Sequence, residues 1–123
     1  MAIDLLIVDD SATIRKILQR VLQQTEIPIG QIFEAGDGVE ALNMLKANKV
    51  GLILSDINMP NMDGLQLLSQ LKANAEWKEV PVVMISTEGS QAKVLEAVQL
   101  GAKGFVRKPF TPEQVKEKLV GLV

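Results

Sequence analysis

Residues 3–10 read IDLLIVDD, and this stretch decides the fold class. A short aliphatic run that ends in polar residues and precedes a helical pattern is typical of a strand buried in a parallel sheet. Residues 52–56, which read LILSD, repeat the arrangement. Asp9, Asp10 and Asp56 therefore stand at the carboxyl ends of two predicted strands, the edge of an α/β sheet at which ligands bind. Carboxylates that converge in this way need a cation, so the sequence predicts a cation site.

Strand and helix patterns alternate five times along the chain. Each predicted strand is short and largely apolar, and apolar residues at the spacing of one helix face follow it. The predicted strands are 3–8, a segment within 27–34, 52–55, 80–85 and 104–106, and the helices carry the apolar positions 14–22, 42–45, 65–71, 94–98 and 115–122. Repeated βα units indicate an α/β fold with a parallel sheet and helices on both of its faces. At 123 residues, the length suits one domain.

Capping residues predict where several helices begin and end. The segments Asp37–Glu40 and Thr111–Gln114 both match the pattern of a capping box, and Pro112 suits the first helical position. Ser90 is expected to begin the fourth helix, and Gly101 is well placed to end it.

Composition narrows the classes of function. The chain has no Cys and no His, which excludes disulfides, thiolate nucleophiles, imidazole bases and imidazole metal ligands. A net charge of −2 does not fit the basic face of a nucleic-acid binder. No apolar run approaches the roughly 20 residues that span a bilayer, and the first residues do not match a signal peptide. We therefore expect a cytoplasmic protein without a membrane or nucleic-acid partner.

Several separated positions agree with one known family in residue type, order and predicted strand end. They are Asp9-Asp10, Asp56, Ser86 and Lys108-Pro109. The chain resembles, from end to end, the receiver domains of two-component response regulators, and among them most closely the single-domain chemotaxis regulators. The resemblance implies a single doubly wound (βα)5 domain over residues 1–123, flavodoxin-like, with a five-stranded parallel sheet in the order 2-1-3-4-5 and no output domain. We also expect a monomer.

The resemblance assigns Asp56 as the residue that is phosphorylated. Asp9, Asp10 and Asp56 would hold Mg²⁺ together with the backbone carbonyl of Asn58. Two carboxylates about 4 Å apart repel each other by roughly 4 kcal/mol at an effective dielectric constant of 20. Mg²⁺ would offset this repulsion, because it takes oxygen ligands and keeps several waters.

Three further positions would contact the phosphoryl group or transmit its arrival. By the same resemblance, the Ser86 hydroxyl and the Lys108 ammonium would contact phosphoryl oxygens, and the peptide bond between Lys108 and Pro109 would be cis. Attraction of Ser86 to the phosphoryl group would draw the end of the fourth strand inward, and Phe105 would fill the vacated space as the switch residue. The face formed by the fourth helix, fifth strand and fifth helix would then change shape and bind the target.

Two positions would set the lifetime of the acyl phosphate, namely Asn58 and Glu88, and this pair matches the chemotaxis subtype. The implied partners are a histidine kinase as phosphodonor, a target protein such as the flagellar motor switch, and a phosphatase. The protein would not be an enzyme beyond Mg²⁺-dependent self-phosphorylation and autodephosphorylation.

Other interpretations of the acidic residues stay open. Within the family, the alternatives are a phosphorelay shuttle, a single-domain regulator with an output other than chemotaxis, and a piece of a longer regulator. From another class, an Mg²⁺-dependent phosphohydrolase also uses an aspartyl phosphate. Those enzymes resemble one another in placing two aspartates one residue apart after strand one, whereas here Asp9 and Asp10 are adjacent and the candidate nucleophile, Asp56, follows the third strand. A flavin or nucleotide carrier would need a glycine- or hydroxyl-rich phosphate loop after the first strand, and residues 11–13 match such a loop poorly. The intact acidic set speaks against a receiver-like domain that binds partners without phosphate.

Overall fold

The computed structural model describes residues 2–87 and 91–122, and it contains five strands that alternate with five helices. In chain order they are β1 (Ile3–Val8), α1 (Ala12–Gln24), β2 (Ile29–Ala35), α2 (Gly38–Ala47), β3 (Leu52–Ser55), α3 (Gly64–Lys72), β4 (Val82–Ser86), α4 (Gln91–Gln99), β5 (Gly104–Arg107) and α5 (Pro112–Leu119). The strands form one parallel sheet in the order β2-β1-β3-β4-β5, which confirms the predicted fold and strand order.

The core lies in two layers, one on each face of the sheet. In β1, Leu6 and Val8 belong to the layer under α2, α3 and α4, whereas Leu5 and Ile7 belong to the layer under α1 and α5. Successive side chains of a strand point to opposite faces, so a strand covered on both sides must be aliphatic at every position. This accounts for the buried apolar runs Leu5–Val8 of β1 and Leu52–Leu54 of β3. Among the residues described, no helix has the length and apolar character needed to cross a membrane.

A proline precedes two of the strands: β4 begins two residues later than predicted, whereas β2 begins within the segment predicted to contain it. β2 starts at Ile29 after Pro28, and β4 starts at Val82 after Pro81. Proline has no N–H to donate to a sheet, so regular pairing begins with the next residue. Both strands and β5 also run one residue beyond their predicted ends.

The capping box predicted at the start of α5 is confirmed, but the one predicted at α2 is wrong in one half. Asp37 accepts a hydrogen bond from the Glu40 N–H at 2.9 Å, whereas the Glu40 carboxylate accepts from the Gly36 N–H at 3.2 Å instead of from Asp37. The φ angle of Asp37 is −161°, compared with −105° at Thr111, whose box forms. Because φ is the rotation about the bond between N and Cα, this difference changes the direction of the Asp37 N–H relative to the helix.

The last predicted helix is too long. α5 ends at Leu119, and Leu122 lies beyond Gly121, whose φ of +96° is a left-handed conformation that favours glycine. Leu122 still packs against the layer under α1 and α5. Gly101 follows α4 with a φ of +106°, as its predicted role requires, and the predicted start of α4 at Ser90 lies outside the described residues.

Gly64 allows α3 to begin directly against the residue that follows β3. Its N–H donates to the Ile57 carbonyl at 2.7 Å. A Cβ atom at Gly64 would lie 2.0 Å from the carbonyl oxygen of Asp56 and 2.8 Å from Cε of Met84. The first of these neighbours is backbone and cannot step aside, so the position requires glycine.

We predict that Gly64→Ala lowers the free energy of unfolding by about 1–3 kcal/mol, the usual cost of forcing an atom into a packed site. Chemical denaturation measures the loss. Gly104→Ala is the matched control, because a Cβ there meets nothing closer than 3.7 Å. Equal midpoints for Gly64→Ala and wild type would contradict the close approach.

Candidate functional site

The carboxyl ends of two neighbouring strands bring three aspartates together. Asp9 and Asp10 follow β1 and Asp56 follows β3, where Val8 is paired with Ser55. One carboxylate oxygen from each aspartate lies within 4.8 Å of the other two. Asp9 and Asp56 are buried, whereas Asp10 is exposed, so the cluster opens to solvent on one side.

Backbone hydrogen bonds fix the buried aspartates to the edge of the sheet. The Asp56 N–H donates to the Val8 carbonyl at 2.8 Å, and the Asp9 N–H donates to the Ala35 carbonyl at 3.0 Å. Both bonds continue the parallel ladder one residue beyond the strands. The sheet itself therefore determines where the two carboxylates stand.

A second set of hydrogen bonds fixes how the two carboxylates are oriented. Asp9 Oδ1 accepts from the Ser11 N–H at 2.9 Å, and Asp56 Oδ1 accepts from the Ile57 N–H at 2.7 Å. In each aspartate the remaining oxygen, Oδ2, contacts the ammonium group of Lys108.

Lys108 supplies the positive charge of the site. Its Nζ lies 2.7 Å from Asp9 Oδ2 and 3.4 Å from Asp56 Oδ2. Its backbone N–H donates to the Ser86 carbonyl at 3.0 Å, and the Lys108–Pro109 peptide bond is cis. Lys108 offsets one of the three negative charges, and two remain.

The donor set fits Mg²⁺. All three aspartates offer carboxylate oxygens, which are the hard ligands that Mg²⁺ takes, and the open side leaves room for the waters that it keeps. The two uncompensated charges match the charge of a divalent cation. The residues present are therefore compatible with Mg²⁺, the ion that the family resemblance implies.

Apart from Glu88, the remaining predicted residues lie at the end of β4, on β5 and in the loop after β3. Ser86 is fully buried at the end of β4, paired with Arg107 of β5. Phe105 lies on β5, half-buried, and packs against the core layer under α2, α3 and α4. Asn58 is exposed in the loop after β3, and Glu88 lies outside the described residues.

A contact between two loops was not predicted from the sequence. Asp37 Oδ2 accepts a hydrogen bond from Asn61 Nδ2 at 2.8 Å, and the Gly38 N–H donates to the Met62 carbonyl at 3.0 Å. The bonds from the Glu40 N–H and from Asn61 hold the pKa of Asp37 below its ordinary value. Asn61 has a φ of +63°, a conformation that Asn tolerates, and its place directly after a proline is a turn signal that could have been noticed.

Comparison with known proteins identifies the family. Residues 5–120 match the model of the response regulator receiver domain. A chemotaxis protein CheY homolog from Campylobacter jejuni is 40% identical over 116 residues, which are 94% of this chain and 88% of the relative.

Solved structures agree. The Vibrio cholerae chemotaxis protein CheY4 has a TM-score of 0.88 and 32% identity, with 100% of both chains covered. A chain of the CheX-CheY-BeF3-Mg²⁺ complex from Borrelia burgdorferi has a TM-score of 0.88 and 31% identity, with 98% of this chain and 88% of that chain covered. Together with the acidic edge of the sheet, these matches show that the chain belongs to the response regulator receiver domain family.

Proposed function

We propose that this protein accepts a phosphoryl group on Asp56 and thereby alters its binding to a protein target in chemotaxis. The observation that carries the proposal is that the Asp56 carboxylate lies 3.4 Å from the Lys108 ammonium and within 4.8 Å of the other two aspartates. Phosphoryl transfer depends mainly on positioning and on stabilisation of charge, and this site offers both. The similarity to chemotaxis proteins supports the choice of pathway.

The two oxygens of Asp56 have different tasks. Oδ1 stays on the Ile57 N–H, while Oδ2, which faces Lys108, attacks the phosphorus of the donor. The P–N bond of a donor phosphohistidine breaks, its electron pair returns to the imidazole, and an acyl phosphate remains on Asp56. Lys108 then contacts a phosphoryl oxygen, and water hydrolyses the acyl phosphate to release inorganic phosphate.

Bound Mg²⁺ would neutralise the charge that the phosphoryl oxygens bring to the site. Asp9, Asp10, Asp56 and the backbone carbonyl of Asn58 would hold it. Receiver domains are signalling regulators and not enzymes in the ordinary sense, so the chemistry is limited to this self-phosphorylation and to hydrolysis of the acyl phosphate.

The phosphoryl group would change the face formed by α4, β5 and α5. Its pull on the Ser86 hydroxyl moves the end of β4, and the 3.0 Å bond between the Ser86 carbonyl and the Lys108 N–H carries that movement to the end of β5. Phe105 then shifts towards the space that is vacated. Leu95 and Val98 of α4 are 57% and 54% exposed, which suits a surface that contacts a partner.

The partners follow from the same chemistry. The chain has no His, so a phosphohistidine donor must be another protein, a histidine kinase. The target is the flagellar motor switch, and the complex of a similar chain with CheX supports a phosphatase as a further partner. Asn58 and Glu88 would set how long the acyl phosphate survives.

We predict that incubation with acetyl phosphate and Mg²⁺ adds one phosphoryl group to the wild type and none to Asp56→Ala, because the nucleophile is lost. Intact-mass measurement reads the adduct. Asp63→Asn is the matched control and should be labelled like wild type, because the amide oxygen still accepts the bond from the Gln66 N–H that caps α3. Absence of an adduct with any donor, or equal labelling of Asp56→Ala, would refute the proposal.

We predict that beryllofluoride with Mg²⁺ tightens binding to a peptide of the flagellar switch by about 5- to 150-fold, the usual range of coupling between two sites. Fluorescence anisotropy of the labelled peptide measures the dissociation constant. Leu95→Ala should weaken binding, and Val39→Ala, which removes an exposed apolar side chain on α2, should not. Binding that ignores beryllofluoride would contradict the switch.

A further inference from the structure

The guanidinium of Arg15 joins α1 to β2 and to Asp9, the residue that follows β1. Its Nη1 donates to the backbone carbonyl of Asp9 at 2.5 Å, and its Nε donates to Glu34 Oε1 at 2.9 Å. The Arg15 side chain is only 18% exposed, so it is packed against the molecule and not extended into solvent. Glu34 belongs to β2, so its contact with Arg15 ties α1 to that strand.

Arg15 completes the set of bonds that immobilise Asp9. The Asp9 N–H is bound by the Ala35 carbonyl, Oδ1 by the Ser11 N–H, Oδ2 by Lys108 and the carbonyl oxygen by Arg15. That carbonyl belongs to the peptide unit that connects Asp9 to Asp10. A peptide unit is planar, so fixing its oxygen also fixes the direction in which the chain continues to Asp10.

Asp10 depends on this support more than the other aspartates do. Asp9 and Asp56 are buried and have their N–H groups in the ladder of the sheet, whereas Asp10 is exposed. We propose that Arg15 is a positioning residue of the cation site, which holds the Asp9–Asp10 peptide so that the Asp10 carboxylate faces the other two. The inference rests on the proposed function, in which this cluster binds Mg²⁺.

The residue type suits this task. Arginine presents its donors in a rigid planar group and so holds two acceptors in a fixed mutual orientation, whereas lysine is a point charge on a flexible stem. Here Nη1 of the guanidinium donates to the Asp9 carbonyl, and Nε donates to the Glu34 carboxylate.

Charge and position predict opposite effects when Arg15 is replaced. Removal of a positive charge beside an anionic site should by itself tighten the binding of a cation. Loss of positioning should weaken it, because groups that orient metal ligands are typically worth about 10- to 100-fold in affinity. The sign of the change therefore separates the two roles.

We expect Arg15→Met to raise the Kd for Mg²⁺ about tenfold, measured by isothermal titration calorimetry on the full chain. Arg15→Lys, which keeps the charge but loses the planar guanidinium, should have a Kd for Mg²⁺ between those of wild type and Arg15→Met. Arg20→Met removes a positive charge from the exposed side of the same helix and is the matched control, with a Kd within about twofold of wild type by screening.

Glu34→Gln tests the second contact of the guanidinium. The amide oxygen can still accept from Nε, so we expect a smaller rise in Kd than for Arg15→Met. The double variant should bind Mg²⁺ no more weakly than Arg15→Met alone, since Glu34 acts through Arg15.

Thermal unfolding without Mg²⁺ distinguishes positioning from a purely structural role. An Arg15→Met protein that unfolds at a lower temperature but binds Mg²⁺ as tightly as wild type, or more tightly, overturns the inference. If Arg15→Met does not fold, Arg15→Lys decides, and a wild-type Kd in that variant overturns the inference. Failure of the wild type to bind Mg²⁺ would instead contradict the proposed function.

Discussion

Three carboxylates are held together at the carboxyl edge of the sheet against their mutual repulsion, and the rest of the structure depends on this constraint. A pair about 4 Å apart repels by roughly 4 kcal/mol at an effective dielectric constant of 20. The ladder bonds of Asp9 and Asp56 fix the positions, the N–H groups of Ser11 and Ile57 fix the orientations, and Lys108 offsets one charge. Two negative charges remain, and they attract a divalent cation, which would in turn offset the negative charge of an arriving phosphoryl group.

Two further contacts hold the site in place, and one of them leads to the surface that would bind a target. Gly64 lets α3 begin against the Asp56 carbonyl, so the loop after β3 is fixed on one side by packing that tolerates no extra atom. On the other side, the bond from Lys108 to the Ser86 carbonyl joins the site to the ends of β4 and β5. A phosphoryl group can bias the protein only through contacts that differ between the two states of the protein. Ser86 and Lys108 offer such contacts.

The sequence predicted the strands and the acidic edge because both depend on local pattern. Aliphatic runs made β1 and β3 recognisable, and the aspartates that follow them had to meet because parallel strands end at one edge. The strand order came from the family resemblance. The partners of Arg15 and Asn61 could not be predicted, since each contacts a residue that is 19 or 24 positions away in the chain and reaches it only after folding. The start of β4 shifted to Val82 because Pro81 has no N–H to donate to the sheet.

Thermal unfolding of the wild type and of Asp10→Asn, with and without Mg²⁺, tests the central claim most directly. The substitution removes one repelling charge and keeps the shape of the side chain. The account predicts that without Mg²⁺ Asp10→Asn unfolds at a higher temperature than wild type, and that Mg²⁺ raises the midpoint of wild type but not of the variant. A lower midpoint for Asp10→Asn without Mg²⁺, or an equal rise in both proteins with Mg²⁺, would contradict it.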